Sequence, residues 1–137
     1  MQLAISEARK SNDSDGYHVG AVIVRKGHVI SRGYSDENNG NMHAEEIAIM
    51  GAKGSLEGTE LYVTMEPCSE RPSGKTSCTD LIIGSGIVKV VYGLRDPQVK
   101  IRCMGVPRLA GAGIQLVHMN QLEKVCRELS PSLFDKP

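Results

Sequence analysis

Short β-branched runs alternate with helix-forming stretches along almost the whole chain, and that alternation restricts the fold more than any other feature. Residues 2–11 place Leu3, Ala4 and Ala8 near one face of an amphipathic helix that ends before the turn-forming cluster Asn12 to Gly16. Val19 to Arg25 reads as a strand, Lys26-Gly27 as a two-residue turn and His28 to Gly33 as the returning strand of a hairpin. A polar loop from Ser35 to Asn41 follows, then a helix from His43 to Met50 stopped by Gly51. Leu61 to Thr64 is a short strand, and Glu66 to Lys75 a loop punctuated by Pro67, Pro72 and Gly74. The next helix runs from Thr76 to Gly84, with Thr76 or Ser77 as its cap. Ile87 to Tyr92 is apolar and β-branched, as expected of a strand covered on both faces. A short helix over 104–111, a strand from Gln115 to His118 and a helix from Gln121 to Leu129 complete the series. The order α-β-β-α-β-α-β-α-β-α predicts an α/β three-layer α-β-α sandwich around a central mixed five-stranded sheet, antiparallel in the opening hairpin and parallel afterwards.

Residues 1–137 form one expected domain, long enough to bury a core without disulfide staples. Lysine plus arginine balance aspartate plus glutamate at 16 each, so no overall field draws a polyanion. With aromatics at 4%, platforms for stacking flipped bases are scarce, and a nucleic-acid partner is not expected. No run of apolar residues is long enough to span a membrane, and the opening helix, with Glu7 and Arg9 in it, is not a secretion signal. The cytoplasm is the expected compartment, where four cysteines point to metal binding or catalysis rather than to disulfides.

Three residues of metal-ligating type stand where strands meet helices: His43 opens one helix, Cys68 follows a strand, and Cys78 lies in the first turn of another helix. Zinc (Zn2+) accepts imidazole and thiolate, and a helix N-terminus favours the thiolate form. Three protein ligands leave one position open, which a catalytic zinc needs to activate water. Glu45, two residues after His43, is placed to move protons between water, a ring nitrogen and a departing amine. A purely structural zinc would require a fourth protein ligand, for which Cys103, Cys126, His18 and His118 are the candidates, none at ligand-like spacing. Ser73-Gly74-Lys75-Thr76 resembles the end of a P-loop, but Ser69 stands where that motif needs glycine. Gly84-Ser85-Gly86 lacks the third glycine of a dinucleotide fingerprint, since position 89 is lysine.

His43-Ala-Glu45 followed by Pro67-Cys68 and a second cysteine is the signature of zinc deaminases. Together with Val19-Gly20-Ala21-Val22, Asn41-Met42 and Met65-Glu66, these residues resemble the cytidine-deaminase superfamily over roughly residues 1–118. Nucleoside and tRNA deaminases of that superfamily have about two residues between their cysteines, whereas this chain has nine, ending in Gly74-Lys75-Thr76. That long loop resembles the deaminases of riboflavin biosynthesis, the fungal form more than the bacterial. The resemblance implies a small-molecule substrate, a diaminopyrimidinone carrying a phosphorylated ribosyl or ribityl chain, the fungal likeness favouring ribityl, and a homodimer. Arg71, Lys75 and Thr76 would then supply phosphate donors, Glu70 would meet the ring's amino groups, and Asn41 the chain hydroxyls. Bacterial relatives carry Asn-Pro ahead of the Val-Gly-Ala strand. Gly16-Tyr17-His18 stands there in this chain, leaving Tyr17 or His18 to take over the ring contact. Bacterial relatives also carry a reductase domain and fungal ones an extra domain, neither of which fits in 137 residues. Two other readings stay open: a deaminase of cytidine, deoxycytidylate, guanine or tRNA adenosine, and a zinc-stabilised binding module without turnover.

Overall fold

The computed structural model describes residues 1–97 and 103–134. Strands β1 (Gly20–Arg25), β2 (His28–Tyr34), β3 (Glu60–Met65), β4 (Lys89–Leu94) and β5 (Gln115–His118) form one mixed sheet in the order β2-β1-β3-β4-β5. The β1–β2 hairpin turns on Lys26 (φ 48°) and Gly27 (φ 79°), the two left-handed residues that a tight twisted turn requires. Helices α1 (Gln2–Ala8), α2 (Ala44–Gly51), α3 (Cys78–Ile83), α4 (Gly105–Gly111) and α5 (Glu123–Leu129) complete the expected order. Ile23, Leu61, Val63 and Val90 lie on one face of the sheet with no exposure, and Val22, Thr64 and Val91 are buried on the other, so both faces are covered.

Pairing differs from expectation at one seam. β3 joins β1 antiparallel, and only β3–β4 and β4–β5 are parallel. The connection through α2 returns β3 in the direction of β2 but lays it beside β1, so the antiparallel part reaches one strand further than the hairpin. Element ends also move. The first helix stops at Ala8 rather than residue 11, and it buries Ile5 while Leu3 is 43% exposed. Ser77, not Thr76, caps α3, accepting from the Asp80 N–H. The strand expected from Ile87 pairs only from Lys89, after the left-handed Gly86 (φ 95°). A 3₁₀ turn at Asn120–Leu122 precedes α5.

Two glycines set how closely helices approach the sheet. Gly20 lies against the Ala4 carbonyl of α1, and Gly33, paired with Ala21 and so on the other face, lies against α2. A Cβ on Gly33 would stand 2.5 Å from the Ala44 carbonyl oxygen and 2.9 Å from the Ala48 nitrogen, both backbone atoms that cannot swing away. Gly33→Ala is therefore expected to cost about 1–3 kcal/mol of stability by overpacking. Thermal melts of the variant against wild type check this.

Candidate metal centre

His43 is the N-cap residue of α2 in extended backbone (φ −80°, ψ 158°), which turns its side chain back toward the end of β3. Cys68 stands three residues beyond Met65, the end of β3, and Cys78 is the first residue of α3. Because α2 and α3 pack together, these positions converge. His43 Nδ1 lies 3.5 Å from Cys68 Sγ and 3.4 Å from Cys78 Sγ. The Cys78 N–H donates to Cys68 Sγ at 3.3 Å, and the Thr79 N–H to the Cys68 carbonyl at 3.0 Å, so the first turn of α3 holds the cysteine loop in place.

The donor set fits zinc. With zinc–sulfur bonds of about 2.3 Å and zinc–nitrogen bonds of about 2.0 Å, a tetrahedral site has nitrogen–sulfur edges of roughly 3.5 Å. All three donor atoms lie within 4.8 Å of one another, and no fourth histidine, cysteine, aspartate or glutamate among the described residues joins the group. Cys126 packs under Gly93, His118 stacks on Tyr92, and the His18 ring sits between the carbonyls of Leu129 and Asp13. Cys103 donates to the Pro67 carbonyl at 3.3 Å.

A hydrogen bond from Cys78, with His43 beside it, lowers the Cys68 thiol to about 4, while that same bond and burial push Cys78 well up, so the Cys78 proton lies between the two sulfurs. Burial opposes a charge on His43, but the hydrogen bond it donates to Cys68, with Glu45 nearby, outweighs it and raises the imidazole. A divalent cation would replace the shared proton and satisfy both sulfurs at once.

Glu45 stands in the first turn of α2, only 4% exposed. Burial, then the negative Cys68, pushes its carboxyl up to about 7, where it can both take and give a proton at neutral pH. A cavity of about 400 Å³ opens on this group and is walled by Tyr17, Asn41, Cys68, Glu70 and Arg71. Its rim is acidic, with Asp13, Asp36 and Glu37 in the wall, and Arg71 is its one lysine or arginine among the described residues.

The structure brings Asn41, Glu70 and Arg71 to the cavity with His43, Glu45 and Cys68. Lys75 and Thr76 line a separate shallow depression that shares Glu70, Arg71 and Pro72 with it. Arg71 also bonds within the protein, its guanidinium donating to Glu46 Oε1 and to the Asn41 carbonyl, each at 3.0 Å. Of the two substitutes for the missing asparagine, Tyr17 reaches the cavity and the His18 ring does not line it.

Two residues escaped the sequence reading. Glu66 is fully buried and accepts from Arg95 Nε at 2.8 Å, the Asp96 N–H at 3.1 Å and the Val106 N–H at 2.8 Å, tying β3 to the start of α4. Its place just before Pro67-Cys68 was the available signal. Glu46, three residues after His43, has the spacing of a capping carboxylate, and it accepts from the His43 N–H at 3.1 Å.

Comparison with known proteins places these features in context. The zinc-binding region of cytidine and deoxycytidylate deaminases matches residues 1–94. The diaminohydroxyphosphoribosylamino-pyrimidine deaminase of Schizosaccharomyces pombe is 44% identical over 132 residues, covering 92% of this chain and 33% of that protein. A crystal structure of the Thermotoga maritima diaminohydroxyphosphoribosylaminopyrimidine deaminase/5-amino-6-(5-phosphoribosylamino)uracil reductase superposes with a TM-score of 0.83 at 36% identity, over 97% of this chain and 38% of that one. The Aspergillus oryzae Rib2 deaminase in complex with DARIPP superposes with a TM-score of 0.79 at 28% identity, over 98% of this chain and 89% of that one. The chain spans about a third of the length of the curated relatives it matches, 33% and 37% of the first two.

Proposed function

Because the chain belongs to the family of cytidine and deoxycytidylate deaminases defined by their zinc-binding region, we propose that it is a zinc-dependent hydrolytic deaminase of riboflavin biosynthesis. Its substrate in this reading is a diaminopyrimidinone bearing a phosphorylated ribosylamino or ribitylamino chain. The observation that carries the chemistry is the convergence of one imidazole and two thiols, within 4.8 Å, beside the cavity that His43, Cys68 and the buried Glu45 line. The 44% identity to a deaminase of that pathway and the long cysteine loop support the substrate.

His43, Cys68 and Cys78 would hold the metal, which when bound supplies a Lewis acid able to activate water near neutral pH. Glu45 takes a proton from the attacking water and delivers it to the ring nitrogen beside the amino-bearing carbon. A second proton reaches the amine through the same carboxylate, the carbon–nitrogen bond breaks, and ammonia leaves with a carbonyl in its place. A carboxyl poised at about 7 suits both halves of this transfer.

The charges of the cavity suggest how the substrate lies. Carboxylates such as Glu70 accept from ring amines, and with the Asn41 side chain they can accept from hydroxyls, so the ring and polyol enter the acidic cavity. The phosphate then lies outward over the shallow depression, where Lys75 and Thr76 stand. Lys75 Nζ reaches the Gly40 carbonyl at 2.7 Å, at the edge of the loop leading to His43. Lys75→Ala is expected to raise KM for the phosphorylated substrate about tenfold or more and to leave the dephosphorylated compound nearly unaffected, as steady-state kinetics on the pair will show.

Exposed Met50 on α2 and Ile83 on α3, at 68% and 40%, support a homodimer formed through these helices. The cytoplasm remains the proposed compartment; among the described residues no helix is long and apolar enough to cross a membrane. Complementation tests the pathway assignment. A strain lacking its riboflavin-pathway deaminase should grow without riboflavin when it expresses this chain and not when it expresses Glu45→Gln. Absence of growth despite zinc-loaded protein would point to another nucleobase.

A further inference from the structure

One side chain anchors the cysteine loop to α2. Arg71 is 4% exposed at its side chain and Glu46 15%, and their ion pair closes at 3.0 Å. The carboxylate oxygen that accepts from Arg71, Oε1, is the same atom that accepts from the His43 N–H at 3.1 Å. A single oxygen therefore joins the guanidinium to the residue that carries the imidazole. On its other side Arg71 donates to the carbonyl of Asn41, whose backbone is left-handed (φ 56°), so the segment entering His43 is held from both ends.

A guanidinium is planar and meets two acceptors in fixed directions, which makes this contact a matter of angle as much as attraction. An ion pair so far removed from water adds little net stability, because desolvation offsets most of its attraction. What it does fix is the position of the α2 N-terminus relative to the loop that carries Cys68. We propose that Arg71 and Glu46 are positioning residues that set the His43 imidazole against the two sulfurs, and that Arg71 acts on metal retention rather than on the substrate's phosphate. The inference rests on the zinc reading of His43, Cys68 and Cys78.

Outer partners of metal ligands typically change affinity by about 10–100-fold when removed. The test uses the full chain as wild type, Arg71→Met, Arg71→Lys, Glu46→Met and the Arg71→Met/Glu46→Met double variant. Zinc dissociation constants are measured by competition with a chromophoric chelator, cobalt(II) absorption spectra are recorded, and folding is followed by circular dichroism. Glu46→Met and Arg71→Met are each expected to weaken zinc about 10–100-fold and to shift the cobalt bands. The double variant should be no weaker than the worse single one, since both act through one oxygen. Arg71→Lys should fold as wild type without recovering full affinity, because an ammonium cannot meet both acceptors in plane. If Arg71→Met fails to fold, Glu46→Met, which keeps the side-chain length and removes the accepting oxygen, decides. Unchanged affinity and cobalt spectrum in Glu46→Met would overturn the proposal. So would an Arg71→Met protein that keeps its zinc but loses KM for the phosphorylated substrate alone. Wild type that binds no zinc would sink the underlying metal reading instead, and the two failures are therefore distinct.

Discussion

Glu45→Gln is expected to lower kcat by about 10²–10⁴-fold, the range that a positioned acid or base contributes, while zinc stays near one per chain. Glutamine matches the shape of glutamate and fills the same buried space, so the 4% exposure of this side chain creates no cavity in the variant. It cannot take a proton from water, and that is the function the carboxylate has in the mechanism. Burial and the negative Cys68 already push Glu45 to about 7, so the lost group is one matched to proton transfer in both directions. KM should change little, because binding is assigned to other walls of the cavity. Steady-state kinetics with metal analysis on the same preparation separates the two effects, and full turnover in the variant would remove Glu45 from the mechanism.

Cys78→Ser is expected to abolish turnover and to uncouple stability from zinc. The thiol is fully buried at the first residue of α3, and its sulfur is 3.4 Å from His43 Nδ1. Serine keeps the size and removes the soft ligand, leaving two donors where three are needed. A ligand that binds only the folded state at about 100 times its dissociation constant adds about 2.7 kcal/mol. Chelation of wild type is therefore expected to lower its denaturation midpoint measurably, and the variant, starting lower, should show no response to chelator or to added zinc. A variant that retained stoichiometric zinc would mean that another residue supplies the ligand.

How much of this was legible before the fold depends on whether a residue's role is set by its own chemistry or by a distant neighbour. His43, Cys68 and Cys78 could be singled out because few side chains bind zinc, and the structure brings their donor atoms together. The hairpin was legible because Lys26-Gly27 is a local turn signal, and both residues do take left-handed backbone. The bond between Arg71 and Glu46 was not legible, because the two stand 25 positions apart and only the folded chain brings them together. The β1–β3 seam was hidden for a related reason: the alternation of strands and helices is the same whether the crossover strand lands beside β2 or beside β1, and the landing place is decided by packing. That Ile5 is buried and Leu3 exposed was not legible either, because a helix of seven residues has too few turns for its apolar face to be read from spacing.

The central claim concerns the reaction, and ammonia release measures it directly. Zinc-loaded chain, its metal content established at one per chain, is incubated with the phosphorylated diaminopyrimidinone in ribosyl and ribityl forms and, separately, with cytidine and deoxycytidylate. The account predicts one ammonia per phosphorylated diaminopyrimidinone consumed and none from the other two. Ammonia from cytidine or deoxycytidylate with none from either pathway compound would contradict it.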